Sequence, residues 1–168
     1  RRMLDEGAFR RLIRREDGEI PPDRVGIVTE WWSGRRRVLY SACSPTEIYA
    51  ALVSPASDAA ARARPLDVAD WTAAFPELRG PLARMRAEAN WDEVHWQQFQ
   101  TLRLSSWSRG RVAVLGDAAH AMPPNLGQGG GCSMMNALGL AVALQDASRP
   151  IEAALAEWEA RERPLTEH

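Results

Sequence analysis

The 168-residue sequence predicts an α+β fold, and three features carry that reading. Three short runs rich in β-branched and aromatic residues follow one another between Arg24 and Val53, separated by turn residues. Helical texture appears from Asp70 to Ala89 and again in the last third of the chain. Between them, a short apolar run leads into a Gly-Asp pair, a proline-bearing loop and a glycine-rich stretch.

Arg1–Arg15 mixes charge with Leu4, Phe9, Leu12 and Ile13, a pattern that fits helix or strand. Asp17-Gly18 and Pro21-Pro22-Asp23 punctuate it as turns. Val25–Trp32, Arg37–Cys43 and Glu47–Val53 read as strands joined at Ser33-Gly34 and Ser44-Pro45-Thr46, which makes an antiparallel meander. Ser54–Asp67 is a surface loop or short helix. Asp70–Phe75 and Pro81–Ala89 are helical, with Pro81 in a first turn and Leu82 and Met85 on one face. Val94–Leu104 alternates and is expected to be a further strand.

The last third differs in kind. Arg111–Leu115 is a continuous apolar run of the sort found in a strand buried on both faces. After Gly127–Gly131, the residues Met134, Leu138, Ala141, Val142 and Gln145 recur at helical spacing and define an apolar stripe. Pro150 opens a final helix in which Ile151, Leu155 and Trp158 share a face.

Composition narrows the function. The formal net charge is −1, which argues against a nucleic-acid or membrane-surface protein. Every basic residue is arginine, so neither a lysine Schiff base nor a phosphate-loop lysine operates here. Cys43 and Cys132 read as reduced intracellular thiols, and cytoplasmic placement is expected. No run of about 18 apolar residues is present to span a bilayer. The chain opens Arg1-Arg2-Met3 and reads as a piece of a longer protein.

The chemistry concentrates between Arg111 and Leu144. Ligands of open α/β folds sit beyond the carboxyl ends of strands. A glycine-rich loop brings a ligand close to bare backbone amides, and the helix behind it adds partial positive charge. The target is then anionic, or becomes negative during reaction. Asp117 suits hydroxyl donors such as a ribose or ribityl chain, or a metal. Glycines at a helix start also serve close packing, and Cys132 stands where a dinucleotide fingerprint needs its third glycine, so spacing alone leaves both readings open.

The ordered run Gly110-Arg111-Val112-Ala113-Val114-Leu115-Gly116-Asp117-Ala118-Ala119-His120-Ala121-Met122-Pro123-Pro124-Asn125-Leu126-Gly127-Gln128-Gly129 resembles the second flavin-binding motif of the group A flavoprotein monooxygenases, the aromatic hydroxylases of the para-hydroxybenzoate hydroxylase fold. The resemblance implies a fragment of an FAD/NAD(P)-binding α/β fold. Residues 1–106 would form a substrate-side antiparallel sheet with helices. Residues 107–168 would form the C-terminal part of the FAD-binding domain, a strand, loop and helix that close on FAD.

The resemblance also implies roles. Asp117 would bond the ribityl and pyrophosphate region, and Pro124 would lie near the isoalloxazine. Gly127, Gln128, Gly129, Gly130 and Gly131 would present backbone amides to the flavin N1 and C2 carbonyl, where a helix N-terminus stabilises reduced flavin. NAD(P)H and O₂ would be co-substrates and an electron-rich aromatic or heteroaromatic compound the substrate. The family's N-terminal Gly-x-Gly-x-x-Gly turn and its acidic residue in the helix after the glycines are not matched; Met135-Asn136-Ala137-Leu138 stands at the latter. An N-terminal FAD-binding segment would therefore lie outside this sequence.

No catalytic acid or base stands out. His120 pairs with Asp117 at i, i+3 without further ligands nearby, so no metal site is expected and His120 reads as structural. His95, Tyr40 and Tyr49 read as sheet residues, Cys132 as a small buried residue, and Arg35-Arg36-Arg37 as a solvated turn. The competing readings are a truncated, non-catalytic remnant or small-molecule- or partner-binding module, and a flavin dehydrogenase or halogenase-type relative.

Overall fold

The computed structural model describes residues 1–167, so His168, at the end of the expected second region, lies outside the described residues. Its contacts divide into two compact units, Asp5–Gln98 and Phe99 onward together with Arg1–Leu4.

The first unit is built on an antiparallel sheet. The ambiguous N-terminal segment is a strand, β1 (Arg2–Arg14), followed by β2 (Thr29–Ser33), β3 (Arg36–Ala42) and β4 (Glu47–Pro55). With β5 (Gln97–Thr101) the sheet has the order β2-β3-β4-β1-β5. The expected meander is present. Its first strand is shorter than Val25–Trp32, because Gly26 turns the chain at φ 84° and Val25, Ile27 and Val28 are exposed. The expected strand over Val94–Leu104 is likewise confined to its centre. Register places Phe9 opposite Leu52, Val38 opposite Leu52 and Tyr40 opposite Ala50. These alternate side chains form the sheet's half of the core. Trp71 of α1 (Val68–Ala74), Leu82 and Met85 of α2 (Arg79–Glu88), and Phe75 and Leu78 between them form the other half. Asp67 caps α1 by accepting the Asp70 N–H at 3.0 Å.

Arg35-Arg36-Arg37 is not a solvated turn as a whole. Arg35 is exposed, but Arg36 donates from Nε and Nη2 to Asp58 at 2.7 and 3.0 Å and from Nη1 to Asp70 at 2.7 Å. Its guanidinium also lies 5.2 Å from the Trp71 ring centre. A planar fork with two carboxylates and an aromatic face is anchored, not solvated. Arg37 is buried, with its guanidinium over Trp32.

Gly7 lets the chain before β5 lie against β1. A Cβ there would stand 2.4 Å from the Gln97 carbonyl oxygen and 2.6 Å from the Trp96 ring. Because one obstacle is backbone, Gly7→Ala is expected to destabilise the fold by about 1–3 kcal/mol, read by denaturant unfolding. An unchanged midpoint would contradict that packing.

The second unit holds a hairpin of β6 (Ser108–Arg109) and β7 (Val112–Ala113), then α3 (Asp117–His120), α4 (Gly129–Ala143) and α5 (Ile151–Thr166). Two expectations are corrected here. The run Arg111–Leu115 is not a strand buried on both faces: only Val112–Ala113 is extended in a sheet, it pairs with β6, and Val112 is 65% exposed. Burial on both faces needs layers on each side, and among the described residues β7 has one neighbouring strand. The stripe on α4 is also not the packed face, since Met134, Leu138 and Val142 are exposed. The packed face runs through Asn136 and Gly139, toward α5. A Cβ on Gly139 would stand 2.6 Å from Glu162 Oε1, so the absent side chain sets the approach. Trp158 then donates its indole N–H to the Asn136 carbonyl at 2.9 Å and joins Trp107 and Ala119 in a small core. α5 matches expectation, with Leu155 and Trp158 buried and Ile151 half-buried.

Glu159 fastens α5 to the segment before β7. Its carboxylate accepts the Trp107 and Ser108 N–H groups at 2.8 Å and the hydroxyls of Ser106 and Ser108 at 2.9 and 2.8 Å. Burial works to raise its pKa, but these bonds outweigh it and hold the group at about 2, against an ordinary 4.5. A depressed folded pKa means the contribution is complete above pH 4.5 and is lost as pH falls toward about 2. Glu159→Ala is expected to cost about 2–4 kcal/mol at neutral pH and to flatten the acid limb of the stability curve. An acid limb identical to that of the parent protein would contradict it.

Candidate functional site

The site begins at the two glycines that turn the chain. Gly116 adopts φ 64° between Leu115 and α3, and a Cβ there would stand 3.3 Å from Ser133 Oγ. Gly127 adopts φ 63° after a single 3₁₀ turn over Pro124–Leu126, its N–H bonded to the Pro124 carbonyl at 3.0 Å. α4 starts two residues later. Gln128 gives it no side-chain cap, its first turn carries no acid, and the bond from Cys132 N–H to the Gln128 carbonyl at 2.9 Å leaves the amides of Gly129, Gly130 and Gly131 ahead of it. Ser133 turns its hydroxyl back to the Gly129 carbonyl at 2.7 Å.

A pocket of about 570 Å³ lies in front of this helix end. Asp117, Pro124, Gly127, Gly129 and Gly130 line it, with Met122, Pro123 and Ser133. Of the seven expected site residues, the structure gathers five here. Gln128 and Gly131 line a different pocket, to which Gly127 also contributes. Ser133 carried no role in the sequence reading; its position four after Gly129 on the emerging helix was the available signal.

The walls suit FAD. Asp117 is exposed, so its carboxylate is available to hydroxyl donors. A Cβ on Gly129 would lie 3.6 Å from Met122 Cγ, whereas those of Gly130 and Gly131 would project into open space. The helix end is thus bare at Gly130, on the side of this pocket, and the helix dipole favours negative charge there.

The remaining candidates fall outside this pocket. His120 is buried against Trp107, ring centres 5.0 Å apart, with no hydrogen-bond partner on either nitrogen among the described residues. It is a packing residue, as expected, and no cluster of metal-ligating side chains occurs among the described residues. His95 is exposed. Cys132 is half-buried at a pocket wall, not fully buried as expected, because it faces the second pocket. Tyr49 is half-buried. Tyr40 is buried and donates its hydroxyl to Glu19 at 2.6 Å, and burial with that carboxylate pushes its pKa up. Glu19 is also paired with Arg84. This trio was invisible in the sequence because its members come from three separated segments.

A family model described as FAD binding domain matches residues 27–165. The chain belongs to the FAD-binding domain family. FAD is its cofactor, and the resemblance read from Gly110 to Gly129 is borne out, as is the α+β fold with its antiparallel sheet. This FAD-binding chain is 46% identical over 165 residues to a putative 2-heptyl-3-hydroxy-4(1H)-quinolone synthase of Rhodococcus erythropolis, covering 98% of itself and 42% of that protein. The tetrameric form of 2-methyl-3-hydroxypyridine-5-carboxylic acid oxygenase matches it with TM-score 0.82 and 34% identity, over 98% of this chain and 44% of that one. HpxO of Klebsiella pneumoniae, solved with FAD and uric acid, matches with TM-score 0.74 and 28% identity, over 96% of this chain and 42% of that one. The FAD-binding chain therefore spans less than half the length of these relatives. No helix among its described residues is long and apolar enough to cross a membrane.

Proposed function

We propose that this chain is the part of an NAD(P)H-dependent flavin monooxygenase that closes on the FAD ribityl chain and isoalloxazine, and that the whole enzyme hydroxylates an aromatic or heteroaromatic small molecule. The observation that carries the reading is the single pocket in which Asp117 faces the unobstructed glycine end of α4. When bound, FAD supplies the redox chemistry that activates O₂.

The chain's own residues hold and polarise. The Asp117 carboxylate accepts hydroxyl hydrogens of the ribityl chain. Pro123 and Pro124 give a stiff apolar edge, with φ near −65° and no N–H to compete for acceptors. The amides of Gly129 and Gly130 stabilise negative charge on the flavin N1–C2 carbonyl edge without reorganising. Gln128 and Gly131 support this helix end from its other side. Residues 1–106 serve as the substrate-side region and residues 107–168 as the FAD-side region. Cytoplasmic placement is favoured by two free thiols, Cys43 and Cys132.

The test is flavin content and turnover. The purified full-length protein is expected to be yellow and to oxidise NAD(P)H faster when an aromatic substrate is present. A colourless protein that takes up no FAD would contradict the reading and leave a non-catalytic binding module. Bound FAD without O₂-dependent product would point to a dehydrogenase.

A further inference from the structure

The carboxylate assigned to FAD stands on very little structure of its own. Asp117 opens α3, a single turn of four residues, and a turn that short does not hold its shape in water unaided. Gly116 gives it no side-chain cap. The Ala119 and His120 N–H groups both donate to the Gly116 carbonyl at 2.9 Å, which closes the turn on itself. Gly116 also lies near Ser133 of α4, a neighbour that limits how close the turn can come but does not hold it. Ala121 accepts the Leu102 N–H at 2.9 Å and fixes only the exit. Where Asp117 stands is therefore decided by the inner side of the turn.

That inner side is Ala119 and His120, which are 0% and 3% exposed, while Asp117 and Ala118 are exposed. His120 is the larger of the two. Its ring centre lies 5.0 Å from that of Trp107, with the planes tilted by 40°. Neither ring nitrogen has a hydrogen-bond partner among the described residues, so within them the ring acts through its shape. Trp107 is itself held. Its backbone N–H donates to Glu159 at 2.8 Å, its indole N–H donates to Glu167 at 3.3 Å, and its ring centre lies 5.8 Å from that of Trp158. Trp158 in turn donates to the Asn136 carbonyl of α4 at 2.9 Å.

A continuous line of contacts thus runs from the turn that carries Asp117 to the helix whose glycine end shares its pocket. Both walls lean on the same pair of tryptophans. We propose that His120 is a positioning residue for FAD: its ring, braced on Trp107, sets where the Asp117 carboxylate stands relative to the start of α4. A binding group must be held to within about half an ångström, and the residues packed behind it do the holding. The proposal rests on the assignment of Asp117 to FAD. It gives His120 no proton to move and no contact with the flavin.

The test is a double-mutant cycle on the FAD Kd of the full-length protein, with folding checked by far-ultraviolet circular dichroism. His120→Ala is expected to weaken FAD binding about fivefold or more when Asp117 is present, and less than about twofold in the Asp117→Ala background. A residue that merely supports the fold would lower affinity by the same factor in both. His120→Phe, which keeps a flat ring and drops both nitrogens, is expected to restore binding to within about threefold of the parent. Should His120→Ala not fold, His120→Leu, which fills space without a flat face, takes its place in the cycle, with a loss of about threefold or more expected only beside Asp117. Equal losses with and without Asp117 would overturn the proposal, as would no loss in either background. A loss in His120→Phe as large as in the alanine or leucine variant would also overturn it, because the nitrogens rather than the face would then matter. Should Asp117→Ala itself leave FAD binding unchanged, the assignment of Asp117 fails and this proposal with it. A weakened Asp117→Ala combined with additive His120 losses overturns this proposal alone.

Discussion

Asp117→Ala is expected to lower FAD affinity about 10- to 100-fold while leaving the fold intact. Hydrogen bonds to a charged group contribute about 1.5–3 kcal/mol each, and 1.4 kcal/mol is a factor of ten in affinity. Asp117 is exposed at the first position of α3, outside the cluster of Trp107, Ala119 and Trp158. Its side chain is therefore free to serve a ligand, and its loss opens no cavity. Far-ultraviolet circular dichroism and the unfolding midpoint of flavin-free protein should match the parent. Flavin retained through gel filtration should fall, and Asp117→Asn, which keeps an acceptor but not the charge, should lie between. Unchanged occupancy in the alanine variant would remove Asp117 from the site.

Where local chemistry decided the outcome, the sequence was a good guide. Turn residues and alternating apolar positions marked the meander, and Leu155 with Trp158 marked the buried face of α5. The motif from Gly110 to Gly129 led to FAD through its resemblance to a known family, where glycine spacing alone left the reading open. Failures came where a distant partner decides. The Arg36 anchor needs Asp58 and Asp70, 22 and 34 positions away. The packed face of α4 is set by what a glycine at 139 admits, so within this chain the stripe through Met134 and Leu138 lies on the other, exposed face. Arg111–Leu115 was apolar enough for a central strand, but β7 pairs only with β6 among the described residues.

The glycines at the start of α4 separate folding from binding, because the two pull them in opposite directions. Glycine in a helix is less stable than alanine by roughly 0.5–1 kcal/mol. Nothing lies within 4 Å of a Cβ built on Gly130, and that residue lines the pocket shared with Asp117. If Gly130 served the fold, alanine there would bring no gain. If it serves the flavin, alanine stabilises the empty protein and intrudes on the ligand. The most direct measurement is thus thermal unfolding of flavin-free Gly130→Ala together with its FAD Kd. The expected result is a melting temperature raised by about 1–4 °C and FAD binding weakened about tenfold or more. A variant that binds FAD as tightly as the parent protein would contradict it, whatever its melting temperature.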